Sequence, residues 1–250
     1  PERQKNERPI FIENIYTLFE AKYPADFYFG GECHTAWEMV YMVEGEVGVT
    51  ADDRVYSLKT GDVIFHQPME FHKIWSENGS EPHVLILSFD VSGAYAHRLR
   101  GGVFRLWAEP ERILAAVRAL TGTDAAIRTR QIIDYRKLPD IQVAFPLMEA
   151  FLMCLADSDK RLLPRTDEGK IKLYTDIVAL LEKNVYGQIT IAELADRLQV
   201  STATVKNCFS EYAGCGIHKY FLKIKMRAAI ELLEKGASVS EVGERLGFSN

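Results

Sequence analysis

Ile189-Thr190-Ile191-Ala192-Glu193-Leu194-Ala195-Asp196-Arg197-Leu198-Gln199-Val200-Ser201-Thr202-Ala203-Thr204-Val205-Lys206-Asn207-Cys208-Phe209 reads as two short helices joined by a tight turn. Thr190 followed by Glu193 is a capping box: the hydroxyl satisfies an amide at the start of the first helix, and the carboxylate reaches back to the Thr190 amide. That helix would bury Ile191, Leu194, Ala195 and Leu198, and the small Ala195 lets a second helix cross closely. Gln199-Val200 turn the chain, and Ser201 is a good cap for a helix that buries Val205, Cys208, Phe209 and Tyr212. Ala203, Lys206, Asn207 and Ser210 are then left on its outer face.

The chain around this stretch repeats it. After Gly214 and Gly216 a long amphipathic helix is expected from His218 to about Glu234, with Tyr220, Phe221, Ile224, Met226, Ala229, Ile230 and Leu233 available for burial. Val239-Ser240-Glu241-Val242-Gly243-Glu244-Arg245-Leu246-Gly247-Phe248 then opens a second copy of the pattern. From about Leu173 onward the chain resembles the double helix-turn-helix DNA-binding domain of the AraC/XylS family of bacterial transcription regulators. Ile191, Leu194, Ala195, Leu198, Ser201, Val205, Phe209, Gly214, Tyr220, Arg227, Ala229, Leu233 and the ending Leu246-Gly247-Phe248-Ser249 carry the resemblance. It implies a major-groove role for the second helix. Ser201 would cap that helix, Thr202 and Thr204 would reach phosphates, and Ala203, Lys206 and Asn207 would fall on base-reading positions, Lys206 donating to guanine and Asn207 pairing with adenine. Two departures stand out. Gly243 replaces the family's usual alanine, and the sequence ends at Asn250, where the second recognition helix would begin, so the expectation is an incomplete second unit and weak DNA binding.

The 250 residues suit one large or two ordinary domains, with 47% hydrophobic residues, enough for a proper core. No apolar run approaches membrane-spanning length, and the charged Pro1–Arg8 segment has no signal-peptide core behind it, so a cytoplasmic, membrane-free protein is expected. Cys33, Cys154, Cys208 and Cys215 lack paired zinc spacing and fit a reducing compartment. The net charge of −5 would be odd for a DNA binder if it were even along the chain. Residues 166–250 instead carry 11 basic and 11 acidic side chains, so the deficit lies upstream. Lys219, Lys223, Lys225 and Arg227 form a local basic cluster suited to phosphate contacts, or equally to a solvated helix face.

Residues 1–9 read as a loosely held lead. From Ile10 to Phe89, short apolar runs alternate with turn signals, the texture of an antiparallel β-domain. Candidate strands are Phe27–Phe29, Trp37–Thr50, Arg54–Leu58, Asp62–His66, His72–Trp75 and His83–Phe89. Many short strands without a long helix suggest a small barrel or jelly roll with a ligand-holding mouth. Glu32-x-His34-x-x-x-Glu38, with Gly45 beyond it, is similar to the first cupin motif; Gly61-Asp62 through Pro68 to His72 is similar to the second. Strand parity would point Glu32, His34 and Glu38 into the barrel, with His72 closing the set from a neighbouring strand. The cupin resemblance implies a divalent metal on His34, Glu38 and His72, although Glu32 stands where a first histidine would be. Three readings stay open: zinc, iron or manganese bound there; a polar ligand pocket built from the same side chains, with Tyr28 adding a stacking face for a sugar; or lining residues that satisfy one another. His66, His83 and His97 read as structural or surface residues.

Residues 107–122 look helical, and a second helix from about Phe145 to Ala156 is apolar nearly all round, which demands cover on more than one face. In the resembled family such helices form a dimer interface, so a homodimer is expected. Polar residues 158–169 read as a linker. The expectation is an α+β two-domain protein. Residues 10–157 would form a cupin-like β-barrel or jelly roll with flanking dimerisation helices, and residues 170–250 an all-α, incomplete helix-turn-helix DNA-binding domain. Its function would be that of a transcription regulator, an activator by family expectation, sensing a small polar effector such as a sugar and needing no cofactor. The rival from another class is a metal-dependent cupin enzyme, an isomerase or dioxygenase, with a helical regulatory appendage.

Overall fold

The computed structural model describes residues 8–122, 141–166 and 169–248. Most of the expected N-terminal lead, part of the linker (Asp167, Glu168) and the last two residues therefore lie outside the described residues. Two antiparallel sheets face each other. The larger runs in the order β1 (Phe11–Lys22), β8 (His83–Ser92), β3 (Trp37–Glu44), β6 (Asp62–His66), β9 (Val103–Arg105). The smaller runs β2 (Tyr28–Glu32), β7 (His72–Ser76), β4 (Glu46–Ala51), β5 (Arg54–Lys59). The expected Trp37–Thr50 strand is two strands, broken at Gly45, whose φ of 90° a residue with a Cβ rarely adopts.

The longest strand, β1, shows no simple alternation in sequence. Its register slips between Ile12 and Asn14 and again between Ile15 and Thr17, so its buried residues fall at Ile12 and Ile15 and then in an unbroken run from Leu18 to Ala21, with no two-residue alternation.

Each sheet has an inner and an outer face, and both are covered. Between the sheets sit Val40, Met42, Val47, Val49, Leu58 and Ile64. Helices α1 (Ala108–Thr121) and α2 (Ile141–Ala156) close the outer face of the larger sheet, pressing Leu114, Val117, Phe151 and Leu152 onto Leu18, Met39 and Leu87. This burial explains much of the apolar surface of α2. Among the side chains described on it, Val143 stays 52% exposed.

The outer face of the smaller sheet is covered by the C-terminal helices. These are α3 (Lys170–Lys183), α4 (Ile191–Leu198), α5 (Thr202–Ala213), α6 (Ile217–Glu234) and α7 (Val239–Leu246). Their core of Tyr174, Ile177, Leu181, Leu194, Phe209 and Tyr220 takes in Val55 and Phe71 from the sheet. The segment joining the two parts lies along the barrel, with the Leu162 amide donating to the Val103 carbonyl at 2.6 Å and the Arg165 amide to the Val55 carbonyl at 2.7 Å. On α6, Tyr220, Ile224 and Ala229 are buried as expected, whereas Met226, Ile230 and Leu233 are exposed together with Leu222. They lie on the side turned away from the C-terminal core.

Helix α7 repeats the construction of α4: Ser238 and Glu241 form a second capping box. Gly243 is the weak point within it. A Cβ built there meets nothing within 4 Å, so the space for alanine is free. Gly243→Ala should raise stability by about 1 kcal/mol, the cost of glycine in a helix interior, as read by the midpoint of urea unfolding.

Candidate functional site

A cavity of about 360 Å³ opens between the two sheets. One end is walled by Phe19, Phe27, Phe29, Val49, Ile74 and Ile86, and the other carries Glu32, His34, Glu38 and His72. The polar end is a connected network. Thr17 donates to Ser88 at 2.9 Å, and Ser88 to Glu38 Oε2 at 3.2 Å. Glu38 lies 3.6 Å from His34 Nε2 and 3.4 Å from His72 Nε2, and Glu32 lies 3.7 Å from His72 Nε2. His66, buried behind, stacks on His72 with ring centroids 4.4 Å apart.

Both histidines are oriented in the same way. His34 Nδ1 is 3.0 Å from the Ala36 carbonyl, and His72 Nδ1 is 3.2 Å from the Glu70 carbonyl. A carbonyl only accepts, so each Nδ1 carries the proton and each Nε2 is turned to the carboxylates. A neutral Nε2 offers them a lone pair, which repels; a proton or a metal ion between them resolves the conflict. Burial opposes a charge on His72, but its approach to Glu32 and Glu38 outweighs that and pushes the imidazole up to about 10. Burial would raise Glu38; the facing His34 and His72 overcome it and hold the carboxyl well below the usual range. Glu32 is lowered by His72, and His34 is raised by Glu38. His66 is pushed down by burial and by His72 beside it, so it stays neutral.

The donor set fits a divalent cation. Two carboxylates and two imidazoles place their ligand atoms within 4.8 Å of one another, and the buried His72 Nε2 has no hydrogen bond of good geometry. That is a ligand type for zinc, iron or manganese.

Two site expectations need correction. Glu32 and Glu38 do not share one strand: β2 ends at Glu32, β3 begins at Trp37, and the two belong to opposite sheets joined by the turn that carries His34. Tyr28 does not line the cavity. Two residues on β7, Ile74 and His72, face Phe29 and Glu32 with a bulge at Gly30-Gly31, so Phe29 and Glu32 both point inward while Tyr28 turns out, 57% exposed and beneath the Lys73 ammonium. The aromatic face belongs instead to Phe27 and Phe29, and Tyr23 stacks on Phe27 at 3.8 Å. Sequence reading also missed His66 as part of the site. Its only signal is register: it pairs directly with Glu38 across β3 and β6.

The helix-turn-helix forms as its residues dictate. The Glu193 amide donates to Thr190 Oγ1 at 3.1 Å, and the Thr190 amide to Glu193 Oε2 at 2.7 Å. Gln199 turns the chain at φ 55°, and Ser201 caps α5 through the Thr204 amide at 3.0 Å. Val205, Cys208 and Phe209 are buried, while Ser201, Thr202, Ala203, Thr204, Lys206 and Asn207 are all exposed. The polar face of α5 is open.

A double-sheet barrel with an internal cavity, packed on a helix-turn-helix module whose second helix leaves its polar face open, defines a two-domain class that joins a ligand-sized chamber to a helix-turn-helix. Residues 15–123 match the family described as AraC-like ligand binding domain, and residues 194–250 match the family described as helix-turn-helix domain. The chain thus carries both parts of an AraC-type regulator, an AraC-like ligand binding domain and a helix-turn-helix domain, and the relatives it resembles are named as HTH-type transcriptional regulators. It is similar to the HTH-type transcriptional regulator GbdR of Pseudomonas aeruginosa, 35% identical over 84 residues. That match covers 33% of this chain and 22% of GbdR, about a fifth of the relative's length. YfiF of Bacillus subtilis, an uncharacterized HTH-type regulator, is 22% identical over 86% of this chain and 71% of its own. Among solved structures, ToxT of Vibrio cholerae O395 aligns over 95% of this chain and 91% of its own, at 10% identity and a TM-score of 0.38.

The charge network sets a pH dependence in metal-free buffer. His72, raised in the fold, contributes stability in full below its ordinary value of 6.5 and loses it as pH rises through about 10. Glu38, lowered in the fold, contributes in full above its ordinary value of 4.5 and loses it as pH falls below that. The stability gap between wild type and His72→Gln should therefore be widest between pH 4.5 and 6.5 and close toward pH 10, as measured by urea unfolding across that range in EDTA.

Proposed function

We propose that this protein is a sequence-specific DNA-binding transcription regulator whose barrel cavity senses a small ligand. The observation that carries the reading is the open face of α5, where Ala203, Lys206 and Asn207 stand exposed above a core of Val205, Cys208 and Phe209. Lys206 donates to guanine and Asn207 pairs with adenine, while Thr202 and Thr204 bond phosphates. The cavity takes a molecule with hydroxyls at one end, for Glu32, His34, Glu38 and His72, and a flat apolar face at the other, for Phe27 and Phe29. A sugar or polyol has both features. The protein acts as a cytoplasmic homodimer through the α1–α2 side of the barrel, in keeping with the exposed Val143, and it acts as an activator.

Selection of bound sequences from a random DNA library tests the first claim. The wild type should enrich a defined motif, and Asn207→Ala should lose preference at one base pair, a discrimination of about 1–3 kcal/mol, while keeping its non-specific affinity. Enrichment of no motif by the wild type, or of the same motif by both proteins, would contradict it.

A second reading of the same site is favoured by the convergence of four ligand atoms within 4.8 Å and by the orientation of both Nε2 atoms. Glu32, His34, Glu38 and His72 hold a divalent transition metal, which supplies a Lewis-acidic anchor for an oxygen of the effector. Elemental analysis of protein purified without added metal should find about one metal per chain, lost in His72→Ala. A metal-free wild type that still binds polyols would leave the cavity as a purely organic site.

A further inference from the structure

One wall of the cavity is also the floor on which the helix-turn-helix module sits. The wall is the β2–β7 half of the smaller sheet, and its two faces are populated alternately, as a pleat requires. Inward point Phe29, Glu32, His72 and Ile74. Outward point Phe71, Lys73 and Trp75, and each meets the helical module: Phe71 meets Tyr220 edge-on at 5.9 Å, Lys73 Nζ donates to the Glu211 carbonyl, and Trp75 meets Tyr212 at 6.4 Å. The bulge that turns Glu32 inward carries the same double duty. A Cβ on Gly214, in the turn after α5, would lie 1.7 Å from the Gly30 carbonyl oxygen, and one on Gly31 would lie 2.3 Å from the Phe71 ring.

We propose that this wall is the coupling element of the protein: the state of Glu32 and His72 on its inner face sets how firmly the helix-turn-helix module docks on its outer face. The inference rests on the cavity being the effector site, and it names the route by which that site governs the DNA-binding module.

Three features make the wall responsive. First, β2 is an edge strand held to β7 alone, at three register positions, Tyr28 with Trp75, Phe29 with Ile74 and Glu32 with His72, so no second strand fixes its place in the sheet. Second, the innermost of those positions is the Glu32–His72 pair itself. A ligand or ion that takes either side chain changes the force holding β2 to β7. Third, the outer contacts are close-packed. Gly214 leaves no slack against Gly30, and Lys73 is 2% exposed, so a small displacement is met by separation rather than by compression. The coupling is reciprocal, since a contact that stabilises one state of the wall from outside biases the inner face by the same free energy. Asp52 strengthens the dock beside the wall. Its carboxylate pairs with Arg227 and accepts from the Phe71 amide, and its carbonyl accepts from Tyr174 Oη.

Hydrogen exchange read by mass spectrometry tests this across the interface. Glu32→Gln and His72→Gln should accelerate exchange several-fold in the segment from Cys208 to Lys223, which neither residue touches. Ile86→Val, which alters the same cavity from the larger sheet, should leave that segment at the wild-type rate. Unchanged exchange in both wall variants, or equal acceleration by Ile86→Val, would overturn the proposal. Lys73→Met tests the reverse direction by removing the ammonium that donates to the Glu211 carbonyl on the outer face. It should shift the ring signals of His72 in a carbon–proton NMR spectrum while leaving those of His97 in place, and a stationary His72 would count against the coupling. None of these readouts involves DNA or effector. Failure here leaves the regulator reading intact, and failure of the library selection leaves the coupling intact.

Discussion

A pleated strand sends neighbouring side chains to opposite faces, and in this protein that constraint falls hardest on β7. Sheets covered on one side only can leave their outer residues to water; here both faces of the smaller sheet are in use. His72 and Ile74 build the cavity, while Phe71, Lys73 and Trp75 build the seat of the C-terminal helices. Gly48 shows how closely the outer side is fitted, since a Cβ there would fall 2.1 Å from the Trp75 ring that lies across it. The order of layers follows: α1 and α2, the larger sheet, the cavity, the smaller sheet, and the helix-turn-helix module.

The helical part was legible in the sequence because its determinants are local. The capping box of Thr190 and Glu193, a turn at Gln199, Ser201 as a cap and the 3.6-residue spacing of Val205, Cys208 and Phe209 all act within a few residues. Strand β1 was not legible, because its two bulges break the alternation in its first half and its second half is buried continuously from Leu18 to Ala21. The exposed Met226, Ile230 and Leu233 show the limit of apolar periodicity, which identifies an amphipathic face without saying whether a partner covers it.

The site was half legible. His34, Glu38 and His72 were found through motif spacing, but the parity argument that joined Glu32 to them assumed one continuous strand. A turn and a pair of sheets do that work instead. Tyr28 was misplaced by the bulge at Gly30-Gly31, which no alternation count foresees. His66 and the apolar walls depend on which strands pair and in which register, information spread over distant parts of the chain. The resulting chamber sets a charged, oriented end against an aromatic one, and so it defines a ligand by shape and hydrogen bonding more than by net charge.

The whole account depends on the helix-turn-helix module resting on the outer face of the smaller sheet, with the polar face of α5 left open. Proton–proton contacts between selectively labelled aromatic rings measure this most directly. The account predicts a cross-peak between Phe71 and Tyr220, whose centroids are 5.9 Å apart, beside the one between Phe209 and Tyr220 at 5.2 Å within the helical core. A spectrum that keeps the Phe209–Tyr220 peak and lacks the Phe71–Tyr220 peak would show a folded module that does not dock, and it would contradict the account.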